Sequence, residues 1–245
     1  MRVNKLMKCI LLYCVILFLL LTSFSCHSPT APGQNNQPDT TSNNFTWQTF
    51  TFGASNAGSS HLQDVAIVSD SDIWCVGAVY LDSADGAPDP NAYNAIHWDG
   101  HNWQLKRIQF YTVCGQNRKT PYPAKTVYMI NDTTIWIGMD GDQIAILNGE
   151  KQISIMCLPI SFVMNKMWSD KDGSVYIVGD GGSILHYQNG SWQKIESGTT
   201  LDITDIWGSG NPPQILAVAN KLGTNFQTSI IEITGNSAKL LPTTL

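Results

Sequence analysis

The sequence predicts an all-β fold built from repeated four-stranded units, and three observations lead to that prediction. First, Trp136, Tyr176 and Leu216 follow one another at intervals of 40 residues, each inside a short apolar run. Second, Asp-Gly, Asn-Gly and Gly-Gly pairs separate such runs, and these pairs accept the positive φ angles of tight hairpin turns. Third, no segment shows a long, clean helical period.

Composition narrows the class of protein further. The chain has 245 residues, of which 43% are apolar and only 13% are charged, compared with a usual charged share of about 25%. These values exclude a coiled coil, a charged helical bundle and a highly charged disordered chain. The formal net charge of -5 does not indicate a nucleic-acid partner.

Residues 1–25 have the organisation of a signal peptide. Arg2, Lys5 and Lys8 form a basic start, and residues 9–21 are an unbroken apolar run of 13 residues. A membrane-spanning helix needs about 20 apolar residues, so the run fits the core of an export signal better.

The end of this segment, Ser23-Phe24-Ser25-Cys26, resembles bacterial lipoprotein signals, although Ser23 and Phe24 depart from the usual Leu and small residue. The resemblance implies that Cys26 becomes the acylated first residue of the mature chain, carrying palmitate or a similar fatty acid. The protein is then expected on the bacterial cell envelope, at the outer membrane or cell surface, with ordinary secretion as the alternative. Residues 26–44 hold three prolines and no large apolar residue after Cys26, and they are predicted to be a disordered tether.

Residues 45–245 contain the repeats. The second strand of each unit is predicted in DIWCVG (72–77), TIWIG (134–138), SVYIVG (174–179) and QILAVA (214–219). A preceding run and two following runs complete a four-stranded unit of about 40 residues, which is typical of a propeller blade. One blade cannot bury both of its faces alone, so neighbouring blades are expected to cover one another.

Residues 167–208 resemble bacterial repeats of the form DIWAVG…GxIxHWDGxxW…SGTxxxLxxIWG, which occur in propellers grouped with photosystem-assembly-factor-like and BNR-like sequences. The resemblance implies a β-propeller over residues 45–245 and is silent on function, because propellers host many activities.

The number of units predicts an incomplete ring. Residues 45–53 read as an outer strand that precedes the first unit, while the fourth unit has its own outer strand. Four units plus an additional strand do not close neatly, which favours an incomplete or truncated version of a longer ring. A ring of four or five blades, or closure by another chain, are the alternatives.

Cysteine and histidine positions give structural predictions. Cys75, Cys114 and Cys157 remain after the leader and Cys26 are set aside, so at most one disulfide can form, and Cys75 is expected to be a buried thiol in an apolar strand. His97 and His186 recur with the repeat and are assigned to packing. No metal or cofactor is predicted.

Repeated aspartates and aromatic residues are also assigned to structure. Asp140 and Asp180 occupy equivalent turn positions. The sequence at Asp170 begins like a calcium loop but has Gly181 where the twelfth-position Glu is needed, so it is read as a turn. Four further tryptophans are assigned to packing between blades: Trp74, Trp136, Trp168 and Trp207.

Candidate ligand-binding residues lie where the sequence departs from the repeat. Residues 81–94 form an inserted loop, and loops on a rigid scaffold often carry binding sites. Asp142 has no acidic counterpart in the next unit, and three tryptophans at hairpins could stack on a sugar. The full set is Asp82, Asp85, Asp89, Tyr93, Trp98, Trp103, Asp142 and Trp192.

The sequence contains none of the nucleotide-binding, serine-hydrolase or zinc-protease motifs GxGxxG, GxxxxGK[ST], GxSxG and HExxH. The predicted function is therefore non-catalytic: a lipid-anchored envelope protein that binds a partner protein or a glycan. The alternatives are a propeller-type glycoside hydrolase or polysaccharide lyase, and a truncated fragment without independent function.

Overall fold

A computed structural model describes residues 48–53, 58–170, 173–221 and 226–242. The chain divides into two compact units, Met1–Thr49 and Phe50–Leu245, and all of the described strands belong to the second unit. The predicted signal peptide, Cys26 and the predicted tether lie outside the described residues. Within the described ranges, no helix has the length and apolar character needed to span a bilayer.

The second unit is all-β, as predicted, with strands joined mainly by antiparallel hairpins. The first sheet has the order β1-β2-β3-β4, and a small separate hairpin, β5-β6, follows it. Their bounds are β1 His61–Ser69, β2 Asp72–Val79, β3 Tyr93–Trp98, β4 Trp103–Lys106, β5 Phe110–Tyr111 and β6 Lys119–Thr120.

The middle of the chain forms one continuous six-stranded sheet in the order β12-β11-β10-β9-β8-β7. Its strands are β7 Ala124–Met129, β8 Thr134–Asn148, β9 Lys151–Ser169, β10 Val175–Gly179, β11 Ser183–Gln188 and β12 Ser191–Glu196, with a single 3-10 turn at Asp180–Gly182. The last sheet has the order β13-β14-β15-β16, with bounds β13 Asp202–Gly210, β14 Pro213–Lys221, β15 Gln227–Thr234 and β16 Ser237–Leu240.

The six-stranded sheet spans the residues of two predicted four-stranded units, and it has six strands instead of eight because β8 and β9 are long and continuous. The register of β8 against β9 shifts between Gly141 and Gln143: residues 143–148 of β8 pair with residues 151–157 of β9, and Asp140 and Gly141 pair with Val163 and Phe162. Residues 164–169 of β9 pair with β10. We therefore name four blades: β1–β4; β7, β8 and the first half of β9; the second half of β9 with β10–β12; and β13–β16. The second and third blades are continuous, which the repeat pattern did not predict.

Successive blades pack face to face through three clusters of buried side chains. Fully burying one large apolar side chain contributes about 1.5–3 kcal/mol, so these clusters are the main source of stability. The cluster between the first and second blades includes Trp74, Val76, Val127 and Ile137; the next includes Trp136, Met164, Met167 and Ile177; the last includes Trp168, Tyr176, Ile206 and Ile231.

The two outer faces of this series remain uncovered. Val65 and Ile67 of the first blade are 51% and 64% exposed, and Trp207 of the fourth blade is 69% exposed. The prediction that Trp207 packs between blades is wrong, because no described sheet lies against its face, whereas Trp74, Trp136 and Trp168 are buried as predicted. The described residues do not close a ring.

The predicted outer strand at residues 45–53 does not form a strand in its described part, residues 48–53. Phe50 and Phe52 pack instead against Trp103, with ring centroids 5.7 and 5.9 Å apart, and Phe50 also contacts Trp98. This segment therefore lies beside the outer hairpin of the first blade.

The cysteines form the one disulfide that their number allows. Cys114 and Cys157 are bonded, with their Cα atoms 6.1 Å apart, and Cys75 is a free thiol. Cys75 is only half-buried, which corrects the prediction of a buried thiol: it alternates with the buried Trp74 and so lies on the uncovered face of the first blade. Partial burial, followed by the negative charge of Asp64, raises the pKa of the Cys75 thiol.

The second strand of each of the first three blades contains a glycine, Gly77, Gly138 or Gly179, at a point where the first strand approaches closely. A Cβ atom at Gly77 would lie 2.2 Å from the His61 carbonyl oxygen, and one at Gly179 would lie 2.0 Å from the Val163 carbonyl oxygen. At Gly138 the nearest atom is a Thr126 side-chain methyl at 3.0 Å, which can move more easily.

We predict that Gly179→Ala lowers the free energy of unfolding by about 1–3 kcal/mol, the usual cost of overpacking a tight site. Gly138→Ala, the matched control, should cost less because side-chain atoms can relax. Urea denaturation followed by tryptophan fluorescence measures both variants. Equal costs for the two substitutions would contradict the backbone contact inferred at Gly179.

Candidate functional site

The first strands of successive blades lie next to one another and form the inner side of the fold. Asp64, Thr126, Lys166 and Asp205 occupy the same register position in these four strands, since each pairs with an equivalent residue of its second strand. We call these four residues the inner-strand cluster.

Asp64 is the centre of this cluster. Its carboxylate, whose side chain is 6% exposed, accepts hydrogen bonds from the Val65 N–H at 2.9 Å, the Thr126 hydroxyl at 2.9 Å and the Val127 N–H at 3.0 Å. The Lys166 ammonium forms an ion pair with it. One carboxylate thus connects the first three blades, and with four donors around it, its chemistry is that of a structural acceptor.

Asp205 of the fourth blade repeats part of this arrangement. Its carboxylate accepts a hydrogen bond from the following N–H, that of Ile206, at 2.9 Å, as Asp64 does from Val65. Unlike Asp64, Asp205 is exposed. Asp205 therefore has the same local hydrogen bond as Asp64, but its carboxylate is exposed to solvent at the end of the series of blades.

A cleft of about 810 Å³ lies beside the inner strands, where the third and fourth blades meet. It is positioned by the ends of β7, β9 and β13 and by the turn that follows β13. Its lining residues are Tyr128, Trp168, Ser169, Asp170, Gly208, Ser209, Gly210, Asn211 and Pro213.

Close packing fixes the aromatic wall of this cleft. The Tyr128 hydroxyl donates a hydrogen bond to the Ser169 carbonyl oxygen at 3.1 Å, which ties the second blade to the third. The Trp168 ring lies directly against Gly208, where a Cβ atom would be 2.5 Å from the ring. Glycine at 208 is required because any side chain there would displace Trp168.

Asp170 is the single carboxylate among the described residues that line the cleft. It serves the turn predicted there: its Oδ1 accepts the Ser174 N–H at 2.9 Å, and its backbone N–H donates to the Ser174 carbonyl oxygen at 3.1 Å. Burial and the charge of Asp170 raise the pKa of Tyr176, which lies nearby in the third blade. The cleft thus combines aromatic walls, small residues and one acidic group.

The predicted binding loop, residues 81–94, is ordered by its own polar contacts. The Asp89 carboxylate pairs with Arg107 and accepts the Asn91 N–H at 2.9 Å, and these contacts lower the pKa of Asp89. The Arg107 guanidinium also lies 4.1 Å from the centre of the Tyr93 ring. The Asp89 carboxylate is therefore already bound by groups of the protein itself.

The other two aspartates of this loop, Asp85 and Asp82, differ in their contacts. Asp85 accepts the Ala87 N–H at 3.1 Å, which shapes the turn. Asp82 pairs through its backbone with Pro88, and its Oδ1 is buried without a hydrogen-bond partner. No contact to the cleft involves either residue.

The tryptophans predicted at hairpins as candidates for sugar stacking pack against other aromatic rings. Trp98 and Trp103 lie 5.3 Å apart and contact Phe50. Between them, Asp99 accepts the Asn102 and His101 N–H groups, which lowers the pKa of Asp99 to about 2. The hairpin is therefore a fixed turn within an aromatic cluster.

Trp192 and Asp142 are not part of the cleft lining. The Trp192 ring lies 4.9 Å from Tyr187 and 6.2 Å from Trp136, and its N–H points to the sulfur of Met156 at 3.3 Å. Asp142 is half-exposed within β8. The structure therefore does not bring the predicted candidates together into one site.

The two recurrent histidines have the packing role assigned to them. His97 stacks on Trp74 with centroids 4.4 Å apart, and His186 stacks on Tyr176 at 4.1 Å. Each also reaches a hairpin of the next blade: Nδ1 of His97 lies 3.7 Å from the Glu150 carboxylate, and Nδ1 of His186 lies 2.5 Å from Oδ1 of Asn236.

Sequence reasoning missed the inner-strand cluster and the cleft. The signal for the cluster was present, since Asp64, Thr126, Lys166 and Asp205 all lie in the first run of their units. The equivalence of these four residues appears only when each first strand is paired with its second strand. Bulges shift that pairing by one residue, so the sequence alone does not align them. The cleft could not be found in the same way, because it depends on the packing of two blades.

We predict that Lys166→Met lowers the free energy of unfolding by about 2 kcal/mol, because hydrogen bonds to charged groups contribute about 1.5–3 kcal/mol and Asp64 would remain buried without its cation. Lys194→Met is the matched control: its partner Glu196 is 83% exposed, and such surface pairs contribute about 1 kcal/mol or less. Urea denaturation measures both. If Asp64→Asn does not reduce the cost of Lys166→Met in a double-mutant cycle, the coupling between the two side chains is absent.

Comparison with known proteins assigns no family. No family model matches the chain, and no curated protein matches it. Among solved structures, the chain is similar to "YCF48 bound to D1 peptide", with a TM-score of 0.48 and 13% sequence identity. The alignment covers 74% of this chain and 55% of that chain, so this chain spans about half the length of the protein it matches.

Proposed function

We propose that this protein is a lipid-anchored protein of the bacterial cell envelope that binds an extended polypeptide segment, without catalysis, in the cleft between its third and fourth blades. The observation that carries the proposal is the cleft itself, where an aromatic wall lies beside the edge of a strand. Cavities with a few polar groups among apolar walls are the usual form of a ligand site.

The strand edge favours a polypeptide as the ligand. β13 is the first strand of its sheet, so one of its edges has no partner among the described strands. Backbone N–H and C=O groups on such an edge can pair with an added strand. Ser209 and Gly210 of β13 line the cleft, and their small size lets another backbone approach.

The aromatic wall favours a polypeptide over a glycan. A sugar ring needs an exposed aromatic face, whereas Trp168 is only 5% exposed and packs against Gly208. Side chains of a bound peptide could instead contact the edges of Tyr128 and Trp168 while its backbone follows β13. A glycoside hydrolase typically uses two carboxylates at one site, and Asp170 is the single one in the described lining.

The anchoring part of the proposal is supported by the sequence. A basic start, an apolar run of 13 residues and Cys26 lie in order before a tether rich in Pro, Asn and Thr. Such a tether would hold the folded unit away from the membrane.

To test the binding site, a random peptide library is displayed on phage and selected on the immobilised protein. We expect enriched peptides that bind with micromolar affinity and lose at least tenfold in affinity with Asn211→Trp, which places a large side chain at the cleft. Glu196→Trp, on the outer strand of the third blade, should bind normally. Selection of no peptide, equal binding by Asn211→Trp, or preferential binding to immobilised polysaccharide would each overturn the polypeptide site.

To test the anchor, cells producing the protein are labelled with a palmitate analogue. We expect label on the wild-type chain and none on Cys26→Ala, because acylation requires the Cys26 thiol. Cys75→Ala serves as the control and should retain the label. An unlabelled wild-type chain, or a labelled Cys26→Ala chain, would refute lipid attachment at Cys26 without bearing on the cleft.

A further inference from the structure

The uncovered face of the fourth blade is built like faces that are buried elsewhere in the fold. Register relates its residues to those of the third blade, which are all buried against the fourth. Trp207, Leu216, Val218 and Ile230 correspond in this way to Trp168, Tyr176, Val178 and Ile184. Of the four fourth-blade residues, Trp207 is 69%, Val218 44% and Ile230 40% exposed.

The uncovered face of the first blade has the complementary construction. By the same register, Val65, Ile73 and Cys75 correspond to Ile206, Ile215 and Ala217 of the fourth blade. Those three residues are buried against the third blade, whereas Val65 is 51% exposed and Cys75 is half-buried. Each internal contact joins one face of a blade to the opposite face of the next blade. The fold ends with one uncovered face of each type, one on the fourth blade and one on the first.

A polar pair at the outer rim marks two of the internal contacts. A third-strand histidine, His97 or His186, meets the residue that follows the turn glycine of the next blade, Glu150 or Asn236. In the fourth blade, Glu232 stands in the histidine position, because it pairs with Leu216 as His97 pairs with Trp74.

The first blade supplies the matching group for Glu232. Its turn glycine, Gly100, has a positive φ like Gly149 and Gly235, and the residue that follows it is His101. In the first internal contact, the histidine is on the third strand and the acid is on the turn of the next blade. At the two uncovered ends, the acid Glu232 is on the third strand and His101 is on the turn. If the fourth blade packed on a first blade as internal blades pack, Glu232 would face a histidine rather than a like charge.

We propose that the uncovered face of the fourth blade docks on the uncovered face of the first blade of a second copy of this chain, and that two such contacts close a ring of eight blades. The apolar residues match by register, and at the rim the Glu232 carboxylate can accept a hydrogen bond from the His101 imidazole. Propellers have roughly four to eight blades, so two copies complete a ring within the known range.

Two features of the molecule bear on this contact. Asp205 would approach Asp64 of the partner along the inner strands, and the Lys166 ammonium that pairs with Asp64 would offset part of the repulsion between the two carboxylates. Residues 50–52 lie beside the outer hairpin of the first blade and have no strand pairing, so β16 of the partner can take their place. In such a dimer, the fourth blade of each copy contacts the first blade of the other. A head-to-tail interface of this kind forms a closed ring when the rotation that relates the copies closes.

The test measures the mass of the purified protein in solution by light scattering over a dilution series. We expect twice the chain mass for the wild type and the single-chain mass for Trp207→Glu and for Val65→Glu. Both residues are exposed in one copy, so these variants should fold, which circular dichroism checks. Ile153→Glu is the control, since Ile153 is 56% exposed but lies on an outer strand of the second blade.

Mixing the two monomeric variants distinguishes this contact from any symmetric one. Trp207→Glu keeps an intact first-blade face and Val65→Glu keeps an intact fourth-blade face, so together they should form one contact and reach the mass of two chains. A wild-type monomer, an open series of larger species, or a mixture that stays monomeric would overturn the proposal. A peptide that binds the cleft in a monomeric protein would leave the proposed function intact and refute the ring.

Discussion

The burial of both faces of each sheet against a neighbouring sheet is the constraint on which this fold depends. Each strand alternates apolar residues between its two faces, so a single blade would expose one apolar face whichever way it packed. The two middle blades satisfy the constraint on both sides, through Trp136 and Met164 on one contact and Trp168 and Tyr176 on the other. The end blades satisfy it on one side only, and this asymmetry explains why Trp207 is exposed while Trp168 is not.

Polar contacts add specificity to this apolar packing. Asp64 connects three first strands at the inner side, and His186 hydrogen-bonds to Asn236 of the next blade at the outer side. Apolar faces alone would tolerate sliding of one blade over the next, whereas a hydrogen bond holds only at one position. The Asp64 carboxylate therefore fixes how the first three blades meet, and the His186 imidazole fixes how the third and fourth blades meet.

The sequence predicted the strands well and the candidate site poorly, for physical reasons. Strand positions follow from alternation and turn residues, which are local, so the runs around Trp74, Trp136 and Tyr176 were identified correctly. The fusion of two blades through β8 and β9 depends on a register shift near Gly141, which local patterns do not reveal. The loop at residues 81–94 is predicted as a binding site because it departs from the repeat, but Arg107 lies outside the loop and pairs with Asp89. The cleft arises where residues about 40 positions apart meet, and only the packing of blades brings Trp168 to Gly208.

The Cys114–Cys157 bond links the segment after β5 to the middle of the fold across 43 positions of sequence. Everything between the two cysteines, including β7 and β8, is enclosed in a covalent loop. A protease that cut the chain once inside this loop would leave both pieces attached to each other. While this bond is intact, a single cut between Cys114 and Cys157 would therefore not separate the first blade from the blades that follow it.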